Sequence, residues 1–148
     1  MACVDRYGAY CLVLTLLMFF NTVNGSAQTK VSCGESGGVV GQSQVLSCNI
    51  SGSVENDIYW YRYNETYHEN IIICLNQGGD VGTCLALEPS LYYVSSQPQQ
   101  PKQQVFTIMS VTQEDLQVSW LCVDNNSFPE RASIQAESTC RVDESLYF

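Results

Sequence analysis

Ile58-Tyr-Trp-Tyr-Arg-Tyr63 alternates along its length. Ile58 and Trp60 fall on one side, Tyr59, Tyr61 and Tyr63 on the other, because successive residues of a strand point to opposite faces. The same period of two runs through Val45-Leu-Ser-Cys-Asn-Ile50, which sets Leu46, Cys48 and Ile50 on one face. It recurs in Val105-Phe-Thr-Ile108 and in Val118-Ser-Trp-Leu-Cys-Val123. Between these runs lie Gly37-Gly38, Ser51-Gly52-Ser53, Gln77-Gly-Gly-Asp80 and the polar loop Gln97-Pro-Gln-Gln-Pro-Lys-Gln-Gln104. No apolar stripe of useful length at helical spacing follows residue 25. Short strands, polar turns and no helix predict an all-β, two-sheet antiparallel sandwich.

A chain of 148 residues, 45% apolar, 11% aromatic and 14% charged, has room for one domain with a real core and hardly for two. The formal net charge of -9 argues against nucleic acid or an anionic lipid surface as partner, since both need clustered Lys and Arg. Only Lys30 and Lys102 carry ammonium groups. Eight cysteines in so short a chain point to an oxidising compartment.

The first residues agree with export. Met1 to Tyr10 is a polar start with Arg6, Cys11 to Phe20 is a ten-residue apolar run, and Asn21 to Ala27 is small and polar. This order is that of a secretory signal peptide over residues 1–25, and the apolar run is too short to span a bilayer. Val23 and Gly25 suit a cut before Ser26; Gly25 and Ala27 suit one before Gln28. No later apolar run exceeds strand length, and the tail 143–148 carries no membrane span or lipid signal. The expected product is secreted and extracellular, or the truncated ectodomain of a longer surface receptor.

The remaining chain holds six cysteines: Cys33, Cys48, Cys74, Cys84, Cys122 and Cys140. No pair has C-x-x-C spacing and the lone His68 lies in a polar stretch, so no metal site is expected. An even count in an exported chain predicts three disulfides, with 15 connectivities open on sequence alone.

Gly41-Gln-Ser-Gln-Val-Leu-Ser-Cys48, Ile58-Tyr-Trp-Tyr-Arg62, Phe106-Thr-Ile-Met-Ser-Val-Thr-Gln-Glu-Asp115 and Trp120-Leu-Cys122 together resemble a V-type immunoglobulin domain over residues 30–142. Trp60 lies twelve residues after Cys48, and Cys122 seventy-four, which matches strands B, C and F of that family, where the Trp packs on an inter-sheet disulfide. The resemblance implies Cys48–Cys122. With strands A and G as neighbours it implies Cys33–Cys140, and across a Gly-rich C′–C″ hairpin it implies Cys74–Cys84. A terminal pair plus a C′-region pair is similar to secreted or membrane-tethered single-V-domain proteins of invertebrates. Two departures stand out. The family's Tyr two residues before the second Cys is Trp120 here, whose indole donates but cannot copy a phenol's bond. The turn Asp, normally six residues before that Cys, is Asp115 at seven. The extra residue is expected as a bulge in strand F, and it leaves the family's Arg62–Asp115 pair open.

No nucleophile–base arrangement, phosphate loop or metal helix is present. Glu114-Asp115 and Asp143-Glu144 are neighbours whose side chains diverge, so neither an enzyme nor a cofactor is expected. Three sequons, at Asn49, Asn64 and Asn125, fit a glycoprotein. The resemblance implies a binding module for cell-surface, adhesion or immune recognition of a protein or glycan, self-association included. The competing class is a structural matrix glycoprotein. With Trp60 and Cys122 inward, Tyr59, Tyr61, Tyr63, Leu121 and Val123 should form one outward patch on the G-F-C sheet. The F–G loop, Asp124 to Arg131, should form its rim with Phe128 as an added anchor.

Overall fold

The computed structural model describes residues 27–34, 37–95 and 102–143. The expected signal peptide and most of the expected tail lie outside them. The strands are β1 (Gln28–Ser32), β2 (Gln44–Ser51), β3 (Ile58–Tyr63), β4 (His68–Gln77), β5 (Asp80–Ala86), β6 (Tyr92–Ser95), β7 (Gln103–Ile108), β8 (Ser119–Asp124) and β9 (Thr139–Arg141). They form a four-stranded sheet, β1-β2-β7-β6, and a five-stranded sheet, β5-β4-β3-β8-β9. Every strand pair is antiparallel. The architecture is an all-β sandwich compatible with an immunoglobulin-like fold.

Alternation explains the layers. In β2 the side chains of Leu46, Cys48 and Ile50 are buried while Val45 and Asn49 are exposed. In β7, Gln104, Phe106 and Ile108 face in. Trp60 meets Phe106 edge-on at 4.6 Å, and both belong to the buried cluster that holds Cys48 and Cys122. Truncating such a ring to Ala costs about 3–5 kcal/mol. Disulfides join Cys48 to Cys122, Cys33 to Cys140, and Cys74 to Cys84. The last pair sits directly opposite in the β4–β5 register. That hairpin turns on Gly78 and Gly79, both at positive φ, the backbone a tight two-residue hairpin requires.

One expectation is corrected. β8 pairs with β3 without interruption from Ser119 to Asp124, so strand F carries no bulge. The additional residue is taken up ahead of the strand, where Asp115–Gln117 makes a 3-10 turn. Asp115 stays in reach of Arg62, at 3.6 Å. Trp120 is buried against Phe106 and Tyr92, and its indole nitrogen has no hydrogen-bond partner among the described residues.

Candidate binding face

The outer surface of the five-stranded sheet is organised by cross-strand rows. Val123, Tyr59, Ile73 and Leu85 stand opposite one another on β8, β3, β4 and β5. The next row holds Thr139, Leu121, Tyr61 and Asn70. A third holds Arg141, Ser119, Tyr63 and His68. Between the first two rows the β3–β4 register shifts after Trp60. The shift lets Ile71 and Ile72 both enter the core while Asn70 and Ile73 remain on the outer side.

The segment after β8 folds back over the second and third rows. Phe128 stacks on His68 at 4.1 Å and meets Tyr61 and Tyr63 edge-on at 5.2 and 5.5 Å. The Arg131 guanidinium lies 5.6 Å from the Phe128 ring and 6.0 Å from that of Tyr63, within cation–π range. Arg131 also donates to the Asn64 carbonyl oxygen. Under this cover Tyr61 is 5% exposed and Leu121 is fully buried. The expected open patch of five outward side chains is therefore corrected. Tyr61 and Leu121 point outward but are sealed, Tyr59, Tyr63 and Val123 are half-buried, and Phe128 lies on the face rather than at its rim.

Asp124 anchors the start of this segment. Its buried carboxylate accepts from the backbone N–H groups of Ala27 at 3.0 Å, Glu55 at 2.8 Å and Asn56 at 2.7 Å. One side chain thus ties β8 to the approach to β1 and to the turn before β3. Charge-assisted bonds of this kind are among the stronger ones. Sequence reasoning placed Asp124 only at the loop's edge.

The open part of the face lies toward β5. Leu85 is 55% exposed, Leu87 53% and Leu75 44%. Leu85 stands in one row with Ile73 and Tyr59. Leu75 and Leu87 lie two residues along from Ile73 and Leu85, and these five residues make the apolar strip. Sequence reasoning missed Ile73, Leu75 and Leu85. The signal was present in the neighbouring cysteines: with Cys74 and Cys84 facing in, the flanking residues must face out.

At the edge of the sandwich, Arg62 binds Glu69 at 2.7 Å and lies 3.8 Å from Glu114 and 3.6 Å from Asp115. Burial works against its charge, but the hydrogen bond to Glu69 and the surrounding acids outweigh it and raise its pKa. The other oxygen of Asp115 caps Thr112, at 2.8 Å from its N–H and 2.7 Å from its hydroxyl. Burial, with the Glu114 carboxylate that its hydroxyl binds, raises the Tyr67 phenol. Burial also raises Tyr61, helped by Tyr59, and pushes core Tyr92 up to about 12. Among the described residues no group of three or more His, Cys, Asp or Glu could hold a metal ion, and no helix is long and apolar enough to cross a membrane.

Asn49 is exposed on β2. The Asn64 side-chain oxygen accepts from the N–H and hydroxyl of Thr66, each at 2.8 Å. Asn125 does the same for Ser127, at 3.2 and 3.3 Å. Both arrangements leave the amide nitrogen without an internal bond among the described residues. No protein-family model matches the chain, and no curated protein matches it.

Proposed function

We propose that the chain is a V-type immunoglobulin-like, glycosylated binding module of the cell exterior, and not an enzyme. It engages a protein partner, a second copy included, through the strip formed by Tyr59, Ile73, Leu75, Leu85 and Leu87. The observation that carries this reading is the strip itself. Ile73 and Leu85 stand opposite each other on paired strands, with Leu75 and Leu87, also about half exposed, two residues along the chain from them, and apolar surface of this kind marks interaction sites. Three disulfides in one sandwich support an oxidising location. The strip is also rigid, because Cys74–Cys84 staples the two strands that present it. The test replaces Ile73 and Leu85 together by Ser. Sedimentation and binding of labelled protein to intact cells should show assembly or attachment for the wild type and at least a tenfold loss for the variant, with unchanged unfolding of the fold. Equal behaviour of the two proteins would refute this use of the face.

A further inference from the structure

At the other end of the same sheet surface, the returning segment, the turn at residues 64–66 and the third row line an open cleft of about 680 Å³, within the range of small-ligand sites, about 300–1,000 Å³. Its walls include Tyr63, Gln117, Ser119, Arg131, Ile134 and Arg141. We propose that this cleft binds an acidic saccharide, with the sugar carboxylate held by Arg131 and Arg141.

Charge placement is the first argument. The chain has only 6 Lys and Arg against 15 Asp and Glu. Among the described residues, Arg62 and Lys102 are engaged by carboxylates. Lys30, on β1 of the other sheet, Arg131 and Arg141 have no acidic partner there, and the two arginines line one cleft. Glu65 also lies on the lining, exposed and in ion-pair contact with neither arginine, so one net positive charge remains. Arg131 is held in place by the Asn64 carbonyl and by the two rings, which leaves part of its fork of donors to take a planar, two-oxygen anion.

The neutral lining decides the class. Gln117 and Ser119 make no side-chain hydrogen bond among the described residues, and Ser119 stands between Tyr63 and Arg141 in the row. Amide and hydroxyl groups beside a Tyr ring match the hydroxyls and C–H faces of a sugar. An acidic peptide would call for apolar subsites, and the one aliphatic side chain offered is Ile134. This site uses none of the residues of the apolar strip and stands or falls separately from it.

The test uses full chain produced without N-glycans and oxidatively refolded, because Asn64 lines the cleft and must keep its neutral amide. The probes are a hyaluronan tetrasaccharide, which carries glucuronate, its carboxyl-reduced counterpart, and a tetraglutamate peptide, each followed by NMR titration and calorimetry. The expected result is saturable tetrasaccharide binding that weakens with added salt. It should weaken about tenfold or more in Arg141→Gln, as expected for loss of a charge-assisted contact, and less in Arg141→Lys. Arg141 is exposed, so these variants keep the fold. Equal binding of the reduced sugar, preference for the peptide, no loss in Arg141→Gln, or no binding at millimolar sugar would each overturn the assignment.

Discussion

Tyr59 and Tyr61 lie two residues apart on one strand, share a face, and stack with ring centroids 5.9 Å apart. Even so, Tyr61 is sealed while Tyr59 is half-buried. The boundary between them divides the sheet surface in two. On one side Phe128 packs on Tyr61, Tyr63 and His68, with Arg131 beside Phe128 and Tyr63, and Leu121 is fully buried. On the other, Ile73 and Leu85 have no such cover. Strand register decides which way a side chain points, and a folded-back loop decides whether solvent or a partner can reach it.

The covered half should behave as core. Leu121→Ser removes a fully buried side chain and leaves a hydroxyl in its place, so urea unfolding should show a loss of about 3–5 kcal/mol. A loss under about 1 kcal/mol would mean that the segment does not cover this row in solution. A combined Tyr61→Ser and Leu121→Ser variant would unfold the domain and report nothing on binding. Phe128→Ala uncovers the same ground with less damage. A loss of about 1–2 kcal/mol is expected, together with faster nitration of Tyr61 by tetranitromethane.

The same variant sets up a titration. Tyr61 is raised from the ordinary 10.0 by burial first and by Tyr59 second, so the fold favours its neutral phenol. That contribution is complete below about pH 10 and is lost as the pH climbs through the raised value. Ultraviolet difference titration should show Tyr61, Tyr67 and Tyr92 ionising late in the wild type and one of the three ionising earlier in Phe128→Ala. An unchanged curve would separate the shift from the Phe128 cover. The smallest effect belongs to the open half. Leu85→Ser should alter stability by no more than about 0.5 kcal/mol, and a larger loss would show that the strip is packed against something within the molecule.

Much of this could be read from residues alone, for a physical reason. Trp60, Cys48 and Cys122 sit on strands whose period of two states their direction, and the sandwich and the framework follow from that. Two features were hidden. The register shift after Trp60 breaks alternation between Ile71 and Ile72, both of which enter the core, while from Ile72 to Leu75 the period of two holds. The return of Phe128 onto His68 and Tyr61 joins residues far apart in sequence, and no local pattern encodes such a contact. The three bonds to Asp124 are hidden for the same reason: a carboxylate at a strand end reads as solvated charge until the backbone groups around it are placed.

The Cys33–Cys140 bond closes a span of 107 residues, and the other two disulfides lie inside that span. This gives the domain a mechanical character. Tension applied at its two ends can peel β1 from β2 and then passes through the covalent link from Cys33 to Cys140, leaving the strands between them out of the load path. Stretched from its ends, the oxidised protein gives up only the short lengths outside the clasp. Reduction releases a further contour of about 350 Å, the difference between a module that transmits force and one that unravels under it.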